Sequence, residues 1–213
     1  MKVIPVINCP DIGCVRKKIE IAKTFLKDGD MLHLDVTDGL FAARETWASP
    51  SEWVALKSPF ALEVHLMVER PEERVDDWLA AGVRRLIVHI ETITPKSLQE
   101  IVSTAARYHA EVMLSSKPES IMEELTPYLR MLTAFQVLAV QPGPAGQEFL
   151  SFTAEKVRFL REELPDAIIE VDGGMNPVTA RRVKDVGADT IVSSHYIFDA
   201  VDPKQAYEEL CAI

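Results

Sequence analysis

Met31-Leu32-His33-Leu34-Asp35-Val36-Thr37-Asp38-Gly39 is the stretch on which the reading of this chain turns. Its apolar residues alternate with polar ones as in a half-buried strand. Residues two apart on a strand share a face, so His33 and Asp35 point one way and Leu34 and Val36 the other. An imidazole and a carboxylate side by side at a strand's C-terminal end can ligate a metal ion or pass a proton. Two later stretches repeat the theme: Glu63-Val64-His65-Leu66-Met67 places His65 on another strand, and Ile169-Glu170-Val171-Asp172-Gly173-Gly174 places Asp172 on a third.

Outward from that stretch, apolar runs alternate with helical periodicities. Strands are expected at Val3–Ile7, Met31–Val36, Ala61–Val68, Leu86–Ile90, Glu111–Leu114, Phe135–Val140, Ile168–Val171 and Thr190–Val192. Between them lie helical patterns opened by Ser49-Pro50, Pro71, Pro95, Pro118, Asn176-Pro177 and Pro203, as Pro at a first helical position favours. Strict alternation implies a parallel sheet with right-handed crossovers. Eight strand-helix pairs, with no glycine fingerprint after the first strand, predict a single-domain (β/α)8 barrel over residues 1–213 rather than an open doubly wound sheet. His33, Asp35, His65 and Asp172 then fall at the C-terminal ends of their strands, where barrel enzymes gather their chemistry.

Composition sets bounds on function. The 213 residues, 47% apolar and 26% charged, are those of a soluble globular protein with a core of its own. A net charge of −10 from 23 basic and 33 acidic residues argues against a nucleic-acid or anionic-membrane partner. An anionic ligand must be held by local geometry. Cys9, Cys14 and Cys211 suggest neither a disulfide framework nor a cysteine zinc site. With no signal-type segment after Met1-Lys2 and no apolar run of membrane-spanning length, a cytoplasmic location is expected. A homo-oligomer stays open.

Four motifs in register, HLDVTDG (33–39), EVHLMVERP (63–71), VQPGPAGQEF (140–149) and EVDGG (170–174), resemble the ribulose-phosphate 3-epimerase family over nearly the whole chain. The resemblance implies a metal-dependent isomerase acting on a sugar phosphate, most simply interconverting D-ribulose 5-phosphate and D-xylulose 5-phosphate. Carried over by position, His33, Asp35, His65 and Asp172 would hold one divalent ion (zinc, iron, manganese or cobalt), and Asp35 and Asp172 would serve as the acid/base pair. Gly143, Gly146, Gly173 and Gly174 match glycines of the family's phosphate loops, with Ser194 beside them and Met67 near the metal. Backbone amides in such turns hold an anion without a basic side chain.

Several positions depart from the family. Val6 follows Pro5 where a Ser is usual, Thr37 and Val140 stand in place of methionines, and Ser193-Ser194-His195 replaces a Gly-initiated turn. Phe41-Ala42-Ala43-Arg44 replaces a Val-Pro-Asn segment, and Arg44 could offer a new charged contact. These changes bear on which ketose phosphate is used, a hexulose phosphate being the alternative, more than on the reaction. Two other functions compete. A lyase or decarboxylase of related phosphate-binding barrels would carry an Asp-x-Lys-x-x-Asp segment on the second strand, whose Lys is absent here. A non-catalytic sugar-phosphate-binding paralogue would more naturally have lost a ligand.

The remaining polar positions have plainer readings. Glu63 and Glu170 share the ligands' face but sit deeper, which suits a buried structural network. His89 and Glu91 are either support for the ligands or interior polar groups. Asp38 orients a loop, His109 ends a helix at the surface, and Trp53 and Trp78 are packing residues.

Overall fold

The computed structural model describes all residues from 1 to 213. Eight parallel strands close into a barrel in chain order. They are β1 (Lys2–Ile7), β2 (Met31–Thr37), β3 (Ala61–Met67), β4 (Arg85–His89), β5 (Glu111–Ser116), β6 (Ala134–Leu138), β7 (Ile168–Asp172) and β8 (Thr190–Ser193). Around them run α1 (Ile12–Ala22), α2 (Pro50–Leu56), α3 (Val75–Ala80), α4 (Pro95–Arg107), α5 (Met122–Leu125), α6 (Thr153–Glu163), α7 (Pro177–Asp185), α8 (His195–Phe198) and α9 (Pro203–Cys211). The (β/α)8 barrel expected from the alternation is the fold. No helix is long and apolar enough to cross a membrane.

Helix starts follow the sequence punctuation. Asp11, Ser49, Thr94, Asn176 and Asp202 each accept a backbone N–H at a helix N-terminus, and Pro50, Pro95, Pro177 and Pro203 occupy first-turn positions. Outward-facing Val3, Ile7, Leu34, Val64, Leu86 and Val171 meet helix residues such as Trp78, Leu98 and Val157 in one apolar layer between barrel and helices. Full burial of each such side chain stabilises the fold by about 1.5–3 kcal/mol. Trp53 and Trp78 are buried in this layer, and His109 is exposed just past α4 in a left-handed conformation, φ 57°.

The barrel interior is unusual for its polarity. Barrels of this kind are commonly filled by branched apolar side chains, and here Ile4, Val6 and Val192 and then Ile87, Met113 and Ala134 form only small plugs. Strand register explains the rest: His33 pairs with Glu63, Glu63 with Arg85, Ser115 with Gln136, and Gln136 with Glu170, so their inward side chains fall in one ring. Glu63 links His33 Nδ1, at 2.8 Å, to Arg85, at 2.9 Å, while Gln136 bonds both Ser115, at 2.7 Å, and Glu170, at 3.0 Å. Glu63 and Glu170 therefore form the buried network their depth implied.

Three local features differ from the sequence reading. The helical pattern opened at Pro118 does not run through to Tyr128 as one helix: α5 begins only at Met122 and gives way to a 3-10 turn at Thr126–Tyr128, where Pro127 has no N–H to continue the α-helical ladder. The helix α8 directly after β8 carries too weak an apolar pattern in four residues to be read beforehand. Cys9 and Cys14 are disulfide-bonded, with Cα atoms 5.7 Å apart. Asp11 turns the chain from β1 into α1 by capping Cys14 N–H, and that turn brings together two cysteines whose spacing has no recognised motif.

Candidate active site

The barrel register sets Asp35 beside His65 on neighbouring strands β2 and β3, while Asp172 ends β7, three strands away around the closed sheet. Asp35 Oδ1 lies 3.1 Å from His33 Nε2 and 3.4 Å from His65 Nδ1, and Asp172 Oδ2 lies 3.3 Å from the same His65 Nδ1. One ligand atom from each of these four residues falls within 4.8 Å of all the others. Both histidines are fully buried, and the two carboxylates line a cavity of about 220 Å³ that opens at the C-terminal mouth.

Hydrogen bonds on the far side of each imidazole fix its tautomer. His33 Nδ1–H donates to the Glu63 carboxylate, so in the neutral imidazole the Nε2 lone pair faces Asp35. His89 Nδ1–H donates to Glu91 at 3.0 Å, so neutral His89 offers its Nε2 lone pair to His65 Nε2–H, 2.8 Å away. Burial first, only partly offset by Glu91, draws the His89 pKa down to about 4 and keeps it neutral. In the neutral state His65 Nδ1 is then a bare, buried lone pair without a hydrogen-bond partner, facing two carboxylates. Electron-rich atoms so arranged need a cation among them, and the two-imidazole, two-carboxylate set fits a divalent transition metal. His33, Asp35, His65 and Asp172 could hold such an ion.

Protons compete for the same lone pairs. Burial lowers the pKa of His33, but the hydrogen bonds and charges of Asp35 and Glu63 outweigh it and hold it well above the usual value. His65 follows the same pattern, with Asp172 and Asp35 raising it against desolvation. For Asp35, burial acts upward, and the hydrogen bonds of His33 and His65 reverse it, so the carboxyl sits far below the ordinary range.

Above the carboxylates, Gly143, Gly146, Gly173, Gly174, Ser194 and Met67 all line the cavity. Gly173 and Gly174 have φ of 108° and 66°, and a Cβ there would come within 2.4 Å of Val140 and 2.8 Å of the Phe149 backbone. The turn after β7 thus takes its shape because both side chains are hydrogen. Val140 and Val6 also line the cavity, whereas Thr37 does not: its hydroxyl donates to the Arg44 carbonyl. The Arg44 side chain is exposed and off the cavity. Phe41 instead turns inward, its ring 4.6 Å from that of His89. Asp38 holds this loop by accepting from Leu40 and Phe41 N–H, each at 2.9 Å, and from Glu69 N–H at 2.8 Å.

Two site residues escaped the sequence reading. Asn8 Nδ2 donates to Asp35 Oδ2 at 2.8 Å and to the Gly143 carbonyl at 3.0 Å, tying the carboxylate to the loop after β6. A signal existed, since Asn8 is two residues past inward-facing Val6. Lys18, on α1, donates to Ser194 Oγ at 2.9 Å; a lysine on an amphipathic surface helix gave no such hint.

Fold and site together define a (β/α)8 barrel whose mouth joins a buried His/Asp cluster that could hold a metal ion to glycine-built turns. Residues 3–198 match the ribulose-phosphate 3 epimerase family. Over 214 aligned residues the chain is 30% identical to the ribulose-phosphate 3-epimerase of Chlamydia trachomatis, covering 95% of this chain and 89% of that protein. It is 31% identical to that of Schizosaccharomyces pombe, covering 98% and 92%. Among solved structures, KGPDC from Streptococcus mutans in complex with D-R5P superposes with a TM-score of 0.75 at 12% identity, over 99% of this chain and 95% of that one. A 3-hexulose-6-phosphate synthase superposes with a TM-score of 0.71 at 17% identity, over 100% and 99%; at such identities the likeness concerns the fold alone. The chain belongs to the ribulose-phosphate 3-epimerase family and is an isomerase acting on carbohydrate phosphates.

Proposed function

We propose that the chain epimerises a ketose phosphate at C3, interconverting D-ribulose 5-phosphate and D-xylulose 5-phosphate, with Asp35 and Asp172 as the acid/base pair. One observation carries the reading: two carboxylates from strands three apart converge on His65 Nδ1, at 3.4 and 3.3 Å, at the edge of a single cavity. His33, Asp35, His65 and Asp172 are the residues that would hold one divalent ion, of zinc, iron, manganese or cobalt. Bound there, the ion supplies Lewis-acid polarisation of the substrate carbonyl and neutralises charge that develops on its oxygen.

The chain's own groups move the protons. One carboxylate takes the proton from C3, leaving a planar enediolate, and the other returns a proton to the opposite face; the direction of reaction sets which is the base. Asn8 steadies Asp35 through Oδ2, while Glu63 and the His89–Glu91 pair hold the imidazoles in one tautomer. Gly143, Gly146, Gly173, Gly174 and Ser194 form the end of the cavity assigned to the phosphate. Loops after the seventh and eighth strands, with a short extra helix such as α8, are the usual place for one in these barrels. Met67 and Val6 give the cavity an apolar surface against the sugar.

Proton NMR of the metal-loaded protein with D-ribulose 5-phosphate in deuterated water tests the proposal. Deuterium should enter C3 as D-xylulose 5-phosphate appears. Exchange without product would leave one carboxylate working and point to a different ketose phosphate, and no exchange would overturn the assignment. His65→Ala should lower the metal bound per chain, measured by elemental analysis, by about tenfold in affinity or more, with the barrel still folded by circular dichroism. Unchanged stoichiometry and affinity would remove His65 from the metal site.

A further inference from the structure

We propose that Lys18 is the positioning cation for the substrate's phosphate monoester, acting through Ser194; the inference rests on the sugar-phosphate reading above. A phosphate monoester carries about −1.5 to −2 charges near neutral pH. It must enter a cavity that Asp35 and Asp172 line, in a chain of net charge −10, and no Lys or Arg side chain lines that cavity. Glycine amides can orient such an anion, and the divalent ion proposed above would answer the two carboxylates, but neither places a full positive charge beside the glycine turns.

Lys18 stands directly behind the wall. Val15, Ile19 and Ala22 bury one stripe of α1, and Lys18 flanks that stripe. Its stem runs beside Phe198, with Nζ 4.9 Å from the ring centroid, and the head turns into the seam between β1 and β8. There Nζ donates to Ser194 Oγ at 2.9 Å and approaches the Val6 and Asn8 carbonyls at 3.4 Å each. The Ser194 hydroxyl donates in turn to the Val6 carbonyl at 3.0 Å, which fixes the turn that faces the cavity. Burial lowers the Lys18 pKa, and the charges of Asp199 and Asp35 act in the opposite sense. The ammonium is half-buried, so its field toward the cavity is screened less than that of a surface lysine.

The arrangement also gives meaning to a sequence departure. A serine at the start of this turn has a Cβ where a glycine would let an anion approach the backbone more closely. A fixed positive charge behind Ser193-Ser194 acts at longer range and needs no such approach.

The test compares wild type with Lys18→Met, which keeps the stem and removes the charge, using D-ribulose 5-phosphate as substrate and inorganic phosphate as competing ligand. KM for the sugar phosphate and the inhibition constant for inorganic phosphate should both rise about tenfold, with kcat changed less than about twofold. Added salt should weaken wild-type binding more steeply than that of the variant. Lys18→Gln, which keeps a donor toward Ser194 Oγ and removes the charge, should raise the same two constants and decides the matter if Lys18→Met does not fold. Constants unchanged in a folded variant, or a fall in kcat with KM retained, would overturn the role of Lys18. A wild-type protein that binds neither phosphate nor sugar phosphate would overturn this inference and the sugar-phosphate reading together, which keeps the two failures apart.

Discussion

Asp172→Asn is expected to lower turnover of D-ribulose 5-phosphate by about a thousandfold or more while the barrel stays folded. Removal of a positioned acid or base alone costs about 10²–10⁴ in rate. Here the same atom set also faces His65 Nδ1 at 3.3 Å, so the amide takes away a proton carrier and an anionic partner for a cation together. The fold should tolerate the change. Asp172 ends β7, its backbone carbonyl accepts from Ala139 N–H at 2.7 Å, and Asn preserves both that bond and the side-chain volume. Steady-state kinetics, far-UV circular dichroism and metal content, measured on one preparation, separate the possibilities. Activity within tenfold of wild type would show that Asp172 is not half of a two-carboxylate mechanism. Deuterium exchange at C3 that persists without epimerisation would leave Asp35 working on one face alone, which is the result expected if the two aspartates divide the faces between them.

The parts of this molecule legible in the sequence are those governed by short-range periodicity. Alternation in HLDVT put His33 and Asp35 on one face, and the same rule put Glu63 with His65 and Glu170 with Asp172. Once the strands are taken as a closed barrel, these faces must converge. Residues placed by long-range contacts were not legible. Lys18 meets Ser194 across 176 positions of chain, and from sequence alone it is one more charged residue on an amphipathic helix. Asn8 lies just past the end of β1, where period two still holds but the strand no longer guarantees it. The link from Glu91 through His89 to His65 depends on stacking two imidazoles on adjacent strands, their centroids 4.9 Å apart, which neither strand encodes alone. Cys9–Cys14 and the break at Pro127 were missed for the opposite reason: both are local, and turn geometry rather than periodicity decides them.

Arg85→Met is the substitution expected to harm stability most among the interior polar residues, by about 3–5 kcal/mol, because it removes one partner of a buried ion pair and leaves the other charged. Arg85 is 6% exposed, and its guanidinium donates to fully buried Glu63 at 2.9 Å and lies 3.8 Å from fully buried Glu170. The two glutamates do not share the burden equally. Burial first, and then the charge of Glu63, push the Glu170 pKa up to about 8, so Glu170 enters neutral solution as the acid. Its raised pKa contributes stability that is fully present below the unfolded-chain value of 4.5 and is lost as pH rises through about 8, so the comparison belongs near pH 6. Glu63 is therefore the charge left stranded, with His33 its one remaining hydrogen-bonded partner. Urea unfolding should show a lower midpoint at unchanged m, and Arg85→Met combined with Glu63→Gln should recover part of the loss, since the double variant no longer buries an unpaired carboxylate. A loss under about 1 kcal/mol would mean that a proton shared between His33 and Glu63 already neutralises the pair. Because Glu63 also sets which nitrogen of His33 faces Asp35, the stabilising ring and the reactive cluster share one residue, and the double variant should recover part of the stability while its activity falls below that of Arg85→Met.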